Sequence, residues 1–119
     1  MKKLIVLTLV SLASVFSYGQ KVATATPEAL QKAKTSGVIV FGVPSDITTA
    51  EVDGVKNYYK QYFTTTLDEK KHEITVTLIN NDEMSKQVVN RLMVSLDIRD
   101  YKVGSDELSF EDVFEKYLK

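Results

Sequence analysis

The sequence predicts an α+β fold whose central elements run strand, helix, strand, strand, helix, strand. Three observations predict this order. A continuous apolar and β-branched run at residues 38–41 is typical of a buried central strand. Apolar residues alternate with threonines along residues 74–79, which indicates a strand with one face on the core. Apolar positions recur at three- and four-residue intervals in 47–63 and 83–96, which indicates two amphipathic helices.

The N-terminal part is expected to begin with a polar, flexible lead from Gln20 to Thr26. A short helix should follow, because Thr26-Pro27-Glu28 supplies a cap, a first-turn proline and a first-turn acid. Gly37 can end this helix. The strand at 38–41 comes next, and the loop 42–46 leads into the first long helix.

A hairpin is expected in the middle of the chain, with residues 64–67 and 74–79 as its strands and a charged turn at 68–71. After the second helix, residues 98–103 are predicted to form the last strand, which Gly104 breaks. Ser105 is expected to cap a C-terminal amphipathic helix over 106–118, whose apolar residues recur at the spacing of one helix face.

This order is that of the split βαβ, or ferredoxin-like, sandwich: a four-stranded antiparallel sheet with two helices on one face. The sequence therefore predicts a ferredoxin-like βαββαβ core, with a short N-terminal helix and a C-terminal amphipathic helix added to it. The second face of such a sheet stays open. The C-terminal helix is expected either to cover part of that face or to pack elsewhere.

Residues 1–19 have the pattern of a cleaved secretory signal. Lys2 and Lys3 precede an uncharged run from Leu4 to Phe16, and Ser17-Tyr18-Gly19 places small residues at the first and third positions. The run of 13 residues is shorter than the roughly 20 that span a bilayer. We therefore expect export to a periplasm or to the extracellular space, with no membrane span after cleavage.

The remaining 100 residues are expected to form one domain: a lead and short helix over 20–36, the ferredoxin-like core over 37–103, and the C-terminal helix over 104–119. With 13 basic and 16 acidic residues, this part has a net charge of −3. It lacks the basic stripe of nucleic-acid-binding proteins, so no nucleic acid is expected as a partner. The absence of cysteine excludes disulfides, thiolate metal sites and iron–sulfur clusters.

Residues 37–103 resemble the heavy-metal-associated domain, a small copper- and zinc-trafficking fold. Residues 38–48 are similar to its first strand and metal loop, 71–77 to its third strand, and 84–103 to its second helix and last strand. The family motif Gly-Met-Thr-Cys-x-x-Cys corresponds here to Gly42, Val43, Pro44, Ser45, Asp46, Ile47 and Thr48. Ser45 and Thr48 therefore stand at the positions of the two metal-binding cysteines.

The departure from the motif removes the chemistry that the resemblance would imply. Soft ions such as Cu(I) select sulfur, whereas the hydroxyls of Ser45 and Thr48 are hard, neutral donors. The structural interpretation of this loop is that Ser45 or Asp46 caps the helix that follows. Neither a cofactor nor a bound metal ion is expected.

Four residues remain as candidate metal ligands, and they are Asp46, His72, Met84 and Met93. A zinc site needs three or four ligands, usually His and Cys, and His72 is the only histidine. Met84 and Met93 are nine residues apart on one helix, on opposite sides of it, so core packing better explains at least one of them. No catalysis is expected, because no nucleophile, base and orienting group can be paired.

Aromatic side chains form a candidate interaction surface. Three of them make a ridge at the end of the first long helix, and three more lie on the stripe of the last helix: Tyr58, Tyr59, Tyr62, Phe110, Phe114 and Tyr117. Core packing should account for several of these. Any that stay exposed would form the kind of amphipathic patch that is enriched at interfaces.

These observations favour an exported, non-catalytic binding or interaction module whose partner is another protein. Two alternatives stay open. One is the binding or trafficking of a metal ion through ligands other than cysteine. The other is a protease-inhibitor or propeptide-like role, which rests on fold analogy alone.

Overall fold

Six strands form one mixed sheet in the computed structural model, which describes residues 21–119. The strands are β1 (Lys21–Ala25), β2 (Val38–Gly42), β3 (Phe63–Asp68), β4 (Glu73–Leu78), β5 (Ile98–Val103) and β6 (Asp106–Ser109). Their spatial order is β3-β4-β2-β1-β5-β6. β1 and β5 run parallel, and all other neighbours are antiparallel. The predicted signal segment, residues 1–19, lies outside the described residues.

The helices are α1 (Pro27–Ser36), α2 (Thr49–Lys56), α3 (Glu83–Ser95) and α4 (Phe110–Val113). A 3₁₀ turn, Asn57–Tyr59, extends α2, and a π-helical stretch, Phe114–Leu118, extends α4. We call α4 and this stretch together the C-terminal helix. Across residues 21–119, no helix combines the length and the apolar character needed to cross a bilayer.

The predicted α+β class is confirmed, but the predicted four-stranded antiparallel sheet is wrong. The strand–helix order from β2 to β5 is the expected one, yet β5 does not lie beside β2. Instead β1 occupies the place between them, parallel to β5 along its length and paired with β2 at Thr24 opposite Gly42. The segment expected to be a flexible lead is therefore an internal strand of the sheet.

The physical reason for this difference lies in the alternation of the lead. Ala23 is fully buried on the helix-bearing side, whereas Val22 and Thr24 are exposed on the other side. Its backbone groups join the ladder with β5, and the Gly104 amide closes the pairing by donating to the Ala25 carbonyl at 3.1 Å. The small side chains of this segment suggested flexibility. They instead allow it to fit as a strand between two neighbouring strands.

The C-terminal helix also begins later than expected. Residues 106–109 are not helical but form β6, which turns back from β5 through Gly104 at φ 61°. Ser109, and not Ser105, caps the helix by accepting a hydrogen bond from the Asp112 amide at 3.3 Å. The first long helix is likewise shorter than its predicted 47–63, because the chain leaves the helix at Tyr59 and enters β3 at Phe63.

The predicted cap and C-terminal end of α1 are confirmed, and a side-chain cap also begins α3. Thr26 caps α1 by accepting from the Ala29 amide at 3.2 Å, and Gly37 ends it at φ 74°. Asp82 caps α3 by accepting from the Ser85 amide at 2.8 Å. That backbone hydrogen bond, followed by one from the Ser85 side chain, lowers the pKa of the Asp82 carboxyl.

The core lies on one side of the sheet, under α2, α3 and the C-terminal helix. At its centre the Tyr101 ring packs between Phe41 and Phe110, with ring centroids 5.2 and 5.6 Å away. Burial raises the pKa of the Tyr101 hydroxyl, which has no hydrogen-bond partner among the described residues. Because Phe110 of the C-terminal helix meets this cluster, the helix packs on the core side and the opposite side of the sheet is left open.

A buried lysine joins three helices on the core side. The Lys86 side chain, only 6% exposed, donates from Nζ to the Leu118 carbonyl at 2.8 Å and to the Lys34 carbonyl at 3.3 Å. These carbonyls lie at the C-terminal ends of the C-terminal helix and of α1, where helices have unsatisfied acceptors and a partial negative charge. One α3 side chain therefore caps two other helices from inside the structure.

We expect Lys86→Met to lower the free energy of unfolding by about 1–3 kcal/mol, because it leaves the Leu118 carbonyl without its donor and removes one of the two donors to the Lys34 carbonyl, the other being the Asn81 side chain. Lys32→Met, at an exposed position of α1, is the control and should change stability by less than about 0.5 kcal/mol. Urea unfolding of the exported, purified protein measures both variants. Equal stability of the two variants would contradict the capping role.

The placement of β1 predicts an energetic coupling between two residues far apart in sequence. A Cβ atom at Gly42 would run into the Thr24 hydroxyl. We expect Gly42→Val to destabilise the fold by roughly 1–3 kcal/mol through overpacking, and Thr24→Ala to recover part of that loss. Urea unfolding of the two single variants and the double variant measures the coupling. Strictly additive effects would mean that β1 does not lie beside β2.

Candidate functional site

The loop that resembles a metal-binding loop is built as a structural connection. Val43 and Ile47 point into the core at 8% and 2% exposure. The Val43 amide donates to the His72 carbonyl at 2.8 Å, which ties the loop to the turn between β3 and β4. Two buried anchors and one backbone tie therefore hold the chain between β2 and α2.

Thr48, at the position of the second family cysteine, is the N-cap of α2. Its hydroxyl accepts from the Glu51 amide, and its own amide donates to the Glu51 carboxylate, both at 3.2 Å. This reciprocal pair is a capping box, so the expectation that Ser45 or Asp46 caps the helix is wrong. Ser45 is exposed, and Asp46 pairs with Lys21 of β1 at 3.7 Å.

The structure does not gather the four candidate metal ligands. His72 and Asp46 lie at the end of the sheet where β2 ends, because the His72 carbonyl bonds Val43. Met84 lies at the other end, since the nearby Asn81 side chain donates to the Lys34 and Thr35 carbonyls, just before β2 begins. Met93 is fully buried in the core. Among residues 21–119, no three side chains of His, Cys, Asp or Glu are grouped so that they could hold a metal ion.

The aromatic residues proposed from sequence as an interaction surface divide into two groups. Phe110, Phe114 and Tyr117 are core residues at 5%, 3% and 8% exposure, so the C-terminal helix offers none of them to a partner. Near α2, Tyr59 is also engaged: its ring stacks on Phe63 and its hydroxyl lies 2.9 Å from the Ser95 hydroxyl.

Of the three members of the predicted ridge, Tyr58 is exposed, and Tyr59 and Tyr62 are half-buried. Tyr58 is 76% exposed on the 3₁₀ turn, and Tyr62 is half-buried just before β3. The Ile79 amide donates to the Tyr62 carbonyl at 3.0 Å, so Tyr62 lies opposite Ile79 at one end of the β3–β4 hairpin. This connects the remaining aromatic surface to the side of the sheet that no helix covers.

The open side of the sheet carries aliphatic and threonine side chains. Ile39, Phe41, Ile74 and Val76 point to the core, so the residues between them point away from it. We call the outward set the open face, and its members are Val22, Thr24, Val38, Val40, Thr64, Thr66, Thr75, Thr77 and Ile79.

Strand register arranges the open face in rows. Thr64, Thr77 and Val38 lie side by side across β3, β4 and β2, and the next row is Thr66, Thr75 and Val40. Val22, Val38 and Ile79 are 37%, 38% and 56% exposed. No member of these two rows is charged. Hydroxyls and methyl groups therefore form a continuous, uncharged strip over three strands.

Charged residues border this strip at one end. Asp68 and Glu73 lie opposite each other where the β3–β4 hairpin closes, and Lys102 of β5 lies beside Thr24 in the same row of the sheet. A shallow cavity of about 270 Å³ opens here between β1, the first turn of α1, Val40 and Glu73. The open face thus has an uncharged middle and a polar margin, which is the usual layout of a protein-binding surface.

Sequence reasoning missed the contribution of β1 to this face. Val22 and Thr24 belong to the segment that was expected to be flexible. The alternation of Val22 and Thr24 with Ala23 is the signal that could have revealed a strand, but five residues are too few for alternation alone to be decisive. Comparison of the chain with protein-family models, with curated proteins and with solved structures found no match.

The loop geometry predicts that the protein binds no soft metal ion. The exported protein, purified and offered Cu(I) and then Zn(II), should retain neither, because hydroxyls replace both thiolates and Thr48 is engaged in a helix cap. Native mass spectrometry measures this directly. The double variant Ser45→Cys/Thr48→Cys is the control that restores two thiolates. One ion retained per unmodified chain would contradict the prediction, and His72→Ala would then test its site.

Proposed function

We propose that the protein is an exported, non-catalytic binding module that holds another protein on the open face of its sheet. The observation that carries this proposal is the uncharged strip of valine, isoleucine and threonine side chains across β3, β4 and β2. Export follows from the signal pattern of residues 1–19 and places the module in a periplasm or outside the cell.

The composition of the strip supports a protein as the partner. Centres of protein interfaces are depleted in charge and packed as tightly as protein interiors, while their rims are polar. Threonine hydroxyls on the open face can exchange hydrogen bonds with a partner's side chains, and the valine methyl groups supply apolar area. A shallow cavity of about 270 Å³ beside the strip is open, unlike the clefts that bury most of the surface of a small ligand.

The rigid support of the strip is a second argument for binding. Each of its strands has a neighbour on both sides or lies under α2, and the residues between the strip's members are buried, as Ile39 and Val76 are. A surface held in this way loses little conformational entropy when a partner binds. The exposed apolar side chains Val38 and Ile79 would then be the ones that a partner covers.

Thr77→Lys tests the proposal. The residue is exposed in the middle of the strip, so the variant should fold normally but place an unpaired charge under the partner. We expect at least about a tenfold loss of affinity, which corresponds to about 1.4 kcal/mol. Gln31→Lys, at an exposed position of α1, adds the same charge away from the face and serves as the matched control.

The measurement has two stages. A photo-crosslinking amino acid at position 77, in the chain exported by its own host, identifies the partner, and isothermal titration with the purified partner then gives the affinities of the three proteins. Binding that is lost in the Thr77→Lys variant and kept in Gln31→Lys agrees with the proposal. A crosslinked partner whose affinity is the same for both variants would place the binding site elsewhere.

A further inference from the structure

The two edges of the sheet differ in how they are protected against pairing with another strand. β6, at one edge, has only four residues and carries Asp106 and Glu107, and short length and charge both discourage strand addition. β3, at the other edge, has six residues with no proline and no basic residue, and its single charge is Asp68 at its end. The edge at β3 is therefore the one that can accept a further strand.

The hydrogen-bond pattern shows which groups of β3 point outward. The Ile79 amide donates to the Tyr62 carbonyl, so Tyr62 and every second residue after it exchange hydrogen bonds with β4. The N–H and C=O groups of Phe63, Thr65 and Leu67 consequently point away from the sheet. Within residues 21–119, no hydrogen bond reaches the outward amides of these three residues.

The three outward residues are symmetric about Thr65. An antiparallel strand of the same sequence, placed with Thr65 opposite Thr65, sets Phe63 opposite Leu67 and Thr64 opposite Thr66. All three outward N–H groups then meet outward carbonyls of the second strand. The side-chain pairs are apolar with apolar and threonine with threonine, both favourable across strands.

Thr65 supplies an independent observation at the centre of this arrangement. It is 4% exposed, and its hydroxyl has no hydrogen-bond partner among the described residues. A buried hydroxyl without a partner is costly. A cavity of about 160 Å³ lies beside it, between β3 and the segment from Lys56 to Lys60. In the symmetric pairing the two Thr65 residues lie directly opposite each other, and a rotation of their side chains toward the partner would let the two hydroxyls satisfy one another.

We propose that β3 is a homodimer interface, in which two copies of the chain pair antiparallel through this edge about a two-fold axis at Thr65. The pairing is closed, since it uses the β3 edge of both copies and leaves only the charged β6 edges free. It joins the two sheets into one of twelve strands and makes the two open faces continuous. The interface uses the backbone edge of β3, so it does not depend on what binds the open face.

Engineered disulfides test the register, and the chain contains no cysteine of its own to interfere. Thr64 and Thr66 are both exposed, so single cysteines there should not disturb folding. We expect an equal mixture of Thr64→Cys and Thr66→Cys proteins to form the mixed disulfide much faster than either protein forms a disulfide alone, because residue 64 of one copy faces residue 66 of the other. A mixture of Thr75→Cys and Thr77→Cys, on the neighbouring strand, is the matched control.

Sedimentation velocity of the exported, cysteine-free protein gives the oligomeric state over a wide range of concentration. We expect a dimer, and we expect Thr65→Pro to shift it to monomer, because proline removes an outward amide that has no partner within one copy. Thr65→Val keeps the backbone pairing, so this variant should remain dimeric. It provides a second test if the proline variant unfolds. A monomer at every concentration, an open-ended assembly, or crosslinking without preference for the mixed pair would overturn the proposal.

Discussion

The enclosure of β1 between β2 and β5 sets the width of the sheet and, through it, the packing of the core. It separates two strands that a four-stranded arrangement would place side by side, and it widens the sheet by one strand. β5 is then far enough from β2 for Tyr101 to reach between Phe41 and Phe110, where its ring centroid lies 5.2 Å from that of Phe41 and 5.6 Å from that of Phe110. The close approach of Thr24 to Gly42 shows that this position is tightly fitted, because even a single added methyl group would collide there.

The wider sheet needs a larger covering layer, and the C-terminal helix provides it. Its side chains Phe114 and Leu118 are buried against α1 and α3, and the Lys86 ammonium group bonds the last carbonyls of this layer. Because the amphipathic stripe is used to build the core, it is not available for a partner. The same packing leaves the opposite side of the sheet uncovered. The open face is therefore exposed because the C-terminal helix packs on the core side, and no sequence motif marks it.

The candidate site shows where local reasoning succeeds and where it stops. Whether the loop 42–48 can bind a soft metal ion could be judged from sequence alone, since donor chemistry depends on residue type. Ser45 and Thr48 cannot act as thiolates. The cap of α2 was assigned to the wrong residue because Ser45, Asp46 and Thr48 are all good caps, and only the buried anchors Val43 and Ile47 decide which one begins the helix. The threonines of β3 and β4 became a surface only when strand register set them side by side.

The α+β class, most of the helices and strands, and the absence of thiolate metal ligands can be read from the amino-acid sequence, because they follow from hydrophobic period, caps and residue chemistry within a few neighbouring residues. The folded chain adds three things that the sequence does not reveal: which strands are neighbours, which side of the sheet the C-terminal helix covers, and which edge is free. Those outcomes depend on contacts between residues far apart in the chain, such as Thr24 with Gly42 and Lys86 with Leu118. Local sequence patterns do not specify which distant element a strand or helix packs against.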